Sequence, residues 1–249
     1  GESFGRWKLG FDEELMEYIS SANIACGFHA GDPLVMRNTV WLCKKHGVKV
    51  GTHVGFPDLV GFGRRLMALS PEEYLYDSLY QGGALQAIAR SEGEALQHFT
   101  WHGSAGMSFY GDSEELARAG AQAVAMLDKR IIVPVIHGAR GDLMAREAEK
   151  LGLKVARKFF ADRALEDNGA LVNRKKPGAV IKDPEVCADR VIQMVQEGKV
   201  KSYTGKDVAV YGHTIMVHGD TETAVNVART IRKKLEAAGI QIAPMSELV

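Results

Sequence analysis

The chain has 249 residues, of which 46% are hydrophobic, and this length suits one large α/β domain or two small ones. Its 31 basic and 31 acidic residues cancel to a formal net charge of zero, so overall charge gives no support for a nucleic-acid or other polyanionic partner. No apolar run approaches the roughly 20 residues of a membrane helix, no secretory signal is visible, and three well-separated cysteines are typical of reduced thiols in a cytoplasmic protein.

Strand and helix patterns alternate along the whole chain. Apolar runs predict strands at 22–26, 48–52, 95–101, 131–136, 153–160, 214–217 and 240–243. Amphipathic periodicity and capping residues predict helices at 12–19, 33–46, 71–92, 114–127, 142–151, 184–197 and from Thr221 to about Gly239. The irregular stretch at 164–183 is long for a compact domain, so we expect it to be functional or to form a lid.

Two helix starts carry strong local signals. Asp32 can cap a helix that has Pro33 at its first position, and Gly47 is placed to end it. The segment Ser70–Pro71–Glu72–Glu73 combines an N-cap, a first-position proline and the glutamate of a capping box. These signals fix the beginnings of two helices independently of the rest of the chain.

The regular alternation predicts a parallel sheet joined by helical crossovers, because no linker, low-complexity tract or fixed-period repeat interrupts it. Five histidines follow predicted strands: His29, His53, His102, His137 and His218. A barrel gathers strand ends into a ring, whereas an open sheet spreads them along an edge. We therefore predict a single TIM-like, seven-stranded (β/α) barrel domain over residues 1–249, with a doubly wound sheet as the alternative.

The two polar turns of the predicted βαβ unit at 22–65 contain several candidate site residues. His29 and His53, with Asp32 or Asp58, have the residue types of a metal site, although their spacing matches no tight metal motif. Without a metal, the same histidines suit acid and base roles. One or two of the five histidines that follow strands are expected to be structural.

The arginine pair at 64–65 follows a glycine-rich turn. A guanidinium is suited to a substrate carboxylate or a phosphate, and the alternative is a solvated surface pair. The sequence contains no Walker loop, no dinucleotide fingerprint and no Ser–His–Asp or Cys–His nucleophile motif. A nucleotide would therefore have to be bound in another way.

Ten short segments follow one another along nearly the whole chain and resemble one known family. They are GESFG at 1–5, SANIACGFHAGDP at 21–33, GFPDLVGFGRR at 55–65, SPEE at 70–73, YQGGALQA at 80–87, HG at 102–103, FADR at 160–163, NGALVNR at 168–174, PGA at 177–179 and VHGD at 217–220. Together they resemble the LamB/YcsF family. The resemblance implies a (β/α) barrel related to glycoside hydrolases and polysaccharide deacetylases, with a first strand before Gly1.

The resemblance also implies an activity, the ATP-dependent opening of the lactam 5-oxoproline to L-glutamate together with two partner subunits, B and C. In this interpretation His29 or His53 is the general base, Asp58 orients it, and Arg64 or Arg65 binds the substrate carboxylate or a phosphate. A divalent metal is compatible with the same histidines.

These considerations give two sets of site residues. The catalytic candidates are His29, His53, Asp58 and His102. The candidates for substrate binding are Glu2, Asn23, Asp32, Arg64, Arg65, His218 and Asp220.

Two alternatives stay open at this point. One is a metal-dependent amide hydrolase resembling a deacetylase, with His29 and His53 as ligands. The other is a binding protein with an eroded catalytic set, because Thr100 and Lys158 stand where the family has a lysine and a glutamate, and Gly106 and Met107 also depart from its pattern. The exact substrate, the metal and a homo-oligomeric state are not decided by the sequence.

Overall fold

The computed structural model of the chain describes residues 1–109 and 113–249. The helices are α1 (Asp12–Leu15), α2 (Pro33–His46), α3 (Pro71–Ser91), α4 (Gly103–Phe109), α5 (Glu114–Leu127), α6 (Ala139–Lys150), α7 (Pro184–Glu197) and α8 (Ala224–Ala237). The strands are β1 (Ser21–Ala25), β2 (Lys49–Val54), β3 (Leu96–Trp101), β4 (Val133–Val135), β5 (Val155–Phe160), β6 (Lys199–Lys201), β7 (Asp207–Ala209) and β8 (Thr214–Met216).

The parallel strands form two three-stranded sheets, in the orders β1-β2-β3 and β4-β5-β8. One parallel bridge between His98 and Ile132 joins them, where the Phe99 amide donates to the Ile132 carbonyl at 2.9 Å. Within the described residues β8 does not pair with β1. The α/β fold with parallel strands is therefore confirmed, but the described strands do not close into the predicted seven-stranded barrel.

The local helix signals are confirmed in atomic detail. The Asp32 side chain accepts hydrogen bonds from two amides of the first turn of α2, and Gly47 ends that helix with φ of 68°. Ser70 and Glu73 form the capping box of α3, with the Ser70 amide donating to Glu73 Oε2 at 2.7 Å. Both devices satisfy amides that have no partner inside the helix.

Side chains alternate between the core and a central cavity along the strands, as the two-residue period of a strand requires. On β3, His98 and Thr100 line the cavity, His102 does so directly after the strand, and on β5, Lys158 and Phe160 do so. The phenylalanines between them belong to the hydrophobic clusters beneath the helices. The cavity has a volume of about 1170 Å³ and lies between the two parallel sheets.

Several predicted boundaries are wrong. α1 ends at Leu15 instead of 19, and α8 is preceded by Thr223 instead of Thr221, because the chain from Thr221 to Ala224 first makes a turn. The apolar run at 240–243 forms no strand among the described residues. Its two isoleucines instead pack against the second hydrophobic cluster.

Two elements are not predicted by the sequence patterns. The antiparallel hairpin β6–β7 pairs Lys199 with Ala209, and the short helix α4 follows directly after His102. The irregular segment at 164–183 is confirmed as irregular, and residues 171–174 of it line the cavity. Within the described ranges, none of the helices combines the length and the apolar character that a bilayer crossing requires.

Replacing Ser70 by alanine tests the capping box of α3. The S70A variant loses the hydroxyl that accepts from the Glu73 amide at 3.2 Å, and we expect it to lower the free energy of unfolding by about 1 kcal/mol. Urea denaturation measures the change. Ser91→Ala at the other end of α3 is the control and should cost less; equal effects of the two variants would contradict the capping role.

Candidate active site

Four side chains from separate segments converge at the carboxyl ends of β1, β2 and β3. Glu2 lies in the N-terminal segment, His29 follows β1, His53 lies in β2 and His102 follows β3. One nitrogen or oxygen atom of each lies within 4.8 Å of the corresponding atoms of the others. Glu2 Oε1 lies 3.2 Å from His102 Nδ1, 3.5 Å from His29 Nε2 and 3.7 Å from His53 Nε2. We call these four residues the histidine–glutamate cluster.

Hydrogen bonds around the cluster fix the tautomers of two of its histidines. The Thr100 hydroxyl donates to the Thr52 carbonyl at 2.6 Å, so its oxygen accepts from His53 Nδ1 at 3.0 Å. His102 Nε2 donates to the Phe62 carbonyl at 2.8 Å. When a ring carries a single proton, that proton therefore lies on the outer nitrogen, and the inner nitrogen carries a lone pair that faces the cluster.

The two inner nitrogens, His53 Nε2 and His102 Nδ1, are 3.1 Å apart. Two lone pairs at this distance, beside a carboxylate oxygen, repel one another unless a proton or a cation lies between them. Protonation is disfavoured at His53, because burial and the neighbouring His102 outweigh the opposing charge of Glu2 and lower the His53 pKa well below its usual value. The arrangement is thus suited to a metal cation.

In the described structure, His29 Nε2 faces Glu2 Oε1 at 3.5 Å without forming a hydrogen bond. Its side chain is 1% exposed, and neither ring nitrogen has a hydrogen-bond partner within the described part of the chain. Its ring stacks on that of His102, with centroids 3.9 Å apart. Burial lowers the pKa of His29 to about 4, so the ring is neutral at physiological pH.

Two glycines make room for the His29 ring. A Cβ at Gly55 would lie 2.5 Å from His29 Nδ1, and a Cβ at Gly63 would lie 2.9 Å from His29 Cβ. Gly63 also has φ of 62°, a conformation that a larger residue adopts with strain. The glycine-rich loop after β2 therefore packs directly on the cluster.

The carboxyl group of Glu2 stays ionised. Burial raises its pKa, but the neighbouring His102, His29 and His53 outweigh this effect and hold the pKa well below its usual range. Glu2 is predicted from the sequence to bind substrate, and the structure places it within the histidine–glutamate cluster instead.

A second polar pair contributes His218 to the lining of the same cavity, with the buried Asp162 as its partner. His218 Nδ1 donates to Asp162 Oδ2 at 2.8 Å, and the His218 amide donates to the same oxygen at 3.2 Å. Burial raises the pKa of Asp162, but these bonds from His218 bring it below its usual value. Since Nδ1 carries the proton, the His218 Nε2 atom holds the lone pair, and this is the arrangement of a general base oriented by a carboxylate.

The prediction that Asp58 orients a histidine is wrong. Asp58 accepts hydrogen bonds from Arg65 Nε at 2.8 Å and from the Gly61 amide at 2.9 Å, and it also forms an ion pair with the Arg65 guanidinium. Hydrogen bonding from Arg65 lowers the pKa of Asp58 to about 2. Arg65 is occupied by this contact within its own loop, so its predicted role in substrate binding is not supported.

The substrate-binding role predicted for Asp32 is also wrong. Its oxygens accept from the Gly5 amide at 2.7 Å and from the first amides of α2, and the residue does not line the cavity. Asp32 instead fixes the N-terminal segment against α2.

The remaining predicted residues do line the cavity. Arg64 lies near Asp220, with the guanidinium and carboxylate 3.5 Å apart. Asn23 accepts from His98 Nε2 at 2.7 Å. His137 does not join the cluster: its Nε2 is bonded to the backbone of Tyr211, which makes it a structural histidine as expected for one or two of the five.

Sequence reasoning missed three residues that shape the site. Thr100 fixes the His53 tautomer, Asp162 orients His218, and Lys158 lines the cavity. Asp162 directly follows β5, and a carboxylate at the end of a strand is a signal that can be recognised in the sequence. The two others lie inside strands, where no spacing pattern marks them. The side chain of Met107 lies outside the described part of the structure.

The arrangement as a whole is that of a hydrolytic site. The histidine–glutamate cluster is electron-rich and suited to a cation, and the Asp162–His218 pair offers a proton acceptor at the same cavity. A cation polarises a carbonyl, and a base activates water, so together they can hydrolyse an acyl bond.

Comparison with known proteins shows which family the chain matches. A model of the LamB/YcsF family matches residues 1–249. A protein from Thermococcus onnurineus that is named as the A subunit of 5-oxoprolinase is 53% identical over 249 residues, which cover 100% of this chain and 96% of that protein. Another of that name from Bacillus subtilis is 44% identical, covering 99% and 95%. The crystal structure of a lactam utilization protein from Thermus thermophilus matches with a TM-score of 0.89 and 45% identity, covering 97% and 95%.

The buried His29 ring should make the metal-free protein sensitive to acid. Its pKa is about 4 when folded and about 6.5 when unfolded, so the unfolded chain binds more protons between these values. The stabilising contribution is complete above pH 6.5 and is lost as the pH falls toward 4, by roughly 3 kcal/mol. Urea unfolding with a chelator present, from pH 7.5 to 4.5, measures this loss.

The His29→Gln variant should show a correspondingly smaller loss of stability across this range. His46→Gln, at an exposed position in α2, is the matched control and should behave as the wild type does. An identical pH dependence for H29Q and wild type would contradict a buried, neutral His29.

Proposed function

The chain belongs to the LamB/YcsF family, and on this basis we propose that it hydrolyses the lactam 5-oxoproline to L-glutamate, with ATP, as one component of a larger enzyme. The observation that carries this proposal is the histidine–glutamate cluster, which shares one cavity with the Asp162–His218 pair. Close relatives are named as the A subunit of 5-oxoprolinase, and these names support both the choice of substrate and the role within a complex.

The chemistry explains why such a site is needed. A lactam is a resonance-stabilised amide, so its carbonyl must be activated before water attacks. His218 Nε2 would take the proton of the attacking water, while Asp162 holds the ring in the required tautomer and stabilises the imidazolium. The carbon–nitrogen bond then breaks, and the proton held by His218 is returned to the leaving nitrogen.

A divalent cation fits the histidine–glutamate cluster. Three imidazoles and one carboxylate are the donor set of many zinc sites. The ring nitrogens of His29, which have no hydrogen-bond partner among the described residues, and the facing nitrogens of His53 and His102 favour a positive charge here. The outer hydrogen bonds to Thr100 and Phe62 orient two of the rings as metal-bound histidines are oriented. The cation would supply Lewis acidity toward the lactam carbonyl.

ATP is the second reactant in this proposal. It supplies activation by transferring its γ-phosphoryl group to the amide oxygen, with ADP as the leaving group, which makes the ring carbon a better electrophile. Ring opening by one water then leaves an acyl phosphate, and a second water releases inorganic phosphate and glutamate. Arg64 and Arg174 line the cavity from loops and are suited to bind its phosphates, and the cavity of about 1170 Å³ has room for two ligands.

The proposal also includes partner subunits and a location in the cell. The B and C subunits of 5-oxoprolinase are the proposed partners. A cytoplasmic location is supported by three free and buried cysteines.

The histidine–glutamate cluster also favours a second candidate, a metal-dependent amide hydrolase that needs no ATP. In it a cation held by the cluster would supply the activation of the carbonyl without ATP, and His218, oriented by Asp162, would accept the proton of the attacking water. The requirement for ATP distinguishes the two functions.

Turnover of 5-oxoproline by the purified chain with the B and C subunits and ATP tests the main proposal. His29→Ala and His53→Ala each remove a cluster nitrogen, and we expect each to lower kcat by about 100-fold or more. His46→Ala is the control and should keep full activity. Unchanged turnover in both cluster variants would refute the site, and activity without ATP that is abolished by a chelator would establish the second candidate.

The Asp162→Asn variant tests the proposed base. An asparagine amide would donate to His218 Nδ1, which moves the ring proton to Nε2 and removes the lone pair that faces the cavity. We expect kcat to fall by about 10²- to 10⁴-fold with a small change in KM. Asp128→Asn, at a surface pair with Arg130, is the control. A raised KM with an unchanged kcat would contradict the role in proton transfer.

A further inference from the structure

Phe62 has a backbone conformation that residues with a side chain rarely adopt. Its φ is 53°, and among the described residues it is the one residue other than glycine with a positive φ. In this left-handed region the Cβ atom lies too close to the following carbonyl oxygen. The conformation is therefore unfavourable by itself and persists only where neighbouring contacts impose it.

Hydrogen bonds on both sides of the loop after β2 impose this conformation. Asp58 closes the loop on itself, because its carboxylate accepts from Arg65 Nε at 2.8 Å and its carbonyl accepts from the Gly63 amide at 2.9 Å. On the other side, the Ser104 amide donates to the Gly63 carbonyl at 2.9 Å and the Ser104 hydroxyl donates to the Arg64 carbonyl at 2.8 Å. Relaxation of the loop to an ordinary turn would break several of these bonds.

The strained backbone places the Phe62 carbonyl against His102, whose Nε2 donates to it at 2.8 Å. The carbonyls of residues 62–64 thus all accept hydrogen bonds from residues 102–104. Successive carbonyls alternate between opposite sides of an extended chain, but they point to one side in a helical conformation of either hand. The positive φ of Phe62 therefore directs its carbonyl toward the cluster histidine.

Two acceptors compete for the proton of a His102 ring that carries only one. The Phe62 carbonyl accepts it at Nε2, and Glu2 Oε1 lies 3.2 Å from Nδ1 on the other side of the ring. A carboxylate is a stronger acceptor than a carbonyl, so without the carbonyl the proton would move to Nδ1. A proton on Nδ1 removes the lone pair that a cation in the cluster needs.

The side chain of Phe62 makes a different kind of contact. Its ring meets those of His29 and His102 edge-on, with centroids 5.6 Å and 4.9 Å apart, and the Arg64 guanidinium lies 5.0 Å from its centroid. A phenyl ring offers neither a proton nor a strong acceptor. Its contact with the cluster is therefore packing, and the polar contact comes from the backbone.

We propose that Phe62 is a positioning residue whose left-handed backbone holds the proton of His102 on Nε2 and so keeps Nδ1 free for a cation in the histidine–glutamate cluster. The inference rests on the proposed function for the role of the cluster and adds the group that prepares it. The tolerance of residue 62 for a positive φ, and not its aromatic ring, then controls the affinity of the cluster for a metal.

Two substitutions that remove the ring but differ in backbone preference test this inference. Asparagine adopts a positive φ readily, whereas the β-branched valine does so only as an outlier. We expect Phe62→Asn to keep the Nε2–H form of His102 and to bind Zn²⁺ within about threefold of the wild type, and Phe62→Val to move the proton to Nδ1 and to bind Zn²⁺ about 10- to 100-fold more weakly.

Two measurements on the full chain give these quantities. Nitrogen NMR of the imidazole rings in the metal-free protein at about pH 8 shows which nitrogen of His102 carries the proton. Competition with a chromophoric chelator gives the affinity for Zn²⁺.

A valine at an ordinary backbone position is the matched control. Phe11 is also a partly buried phenylalanine, but its φ of −125° suits a β-branched residue, so Phe11→Val should keep both the Nε2–H form and the Zn²⁺ affinity. If F62V does not fold, Phe62→Gly and Phe62→Ala make the same comparison with small residues. Glycine should keep the affinity, and alanine should lower it about tenfold.

The outcomes separate this inference from the proposed function. If F62N loses Zn²⁺ affinity as far as F62V does, or if F62V keeps the Nε2–H form and the affinity, the inference is overturned and the proposed function stands. If the wild type does not bind Zn²⁺, the cation of the proposed function fails, and the proton position in F62N and F62V still decides whether Phe62 orients His102.

Discussion

The convergence of lone pairs at the ends of β1, β2 and β3 is the constraint on which the site depends. Hydrogen bonds to Thr100 and Phe62 hold two imidazoles with their inner nitrogens 3.1 Å apart, and the Glu2 carboxylate adds negative charge beside them. Such an arrangement is unfavourable by itself. It becomes favourable when a cation is bound, so the tautomers and the burial of these groups create a preference for positive charge at one point.

Much of this architecture is predictable, because its signals are local. Asp32–Pro33 and Ser70–Glu73 act within one helical turn, and the structure confirms both caps. The positions of histidines after strands are also visible in the sequence, since parallel strands bring their carboxyl ends to one edge. This reasoning correctly brings His29, His53 and His102 together. It does not tell which ring nitrogen carries a proton, because that depends on contacts between strands.

The predictions that are wrong concern contacts that sequence spacing does not specify. Asp58 and Arg65 are seven residues apart and satisfy one another within a loop, and sequence spacing cannot separate such a pair from a substrate clamp. Lys158 is the opposite case, because inside a strand it resembles an ordinary surface lysine until the fold turns it inward. Regular alternation predicts a closed ring of strands, but closure needs two strand edges at hydrogen-bonding distance, which alternation does not specify.

The close approach of Gly55 and Gly63 to His29 has an evolutionary consequence. The imidazole fills the volume that a side chain at either glycine would need, since their Cβ atoms would lie 2.5 Å and 2.9 Å from it. A substitution at either glycine is therefore disruptive while the histidine is present and can become tolerable once it has been lost. The effect of a substitution at position 29, 55 or 63 therefore depends on the residues at the other two positions, which is epistasis. Once larger side chains occupy positions 55 and 63, a return to histidine at position 29 is blocked.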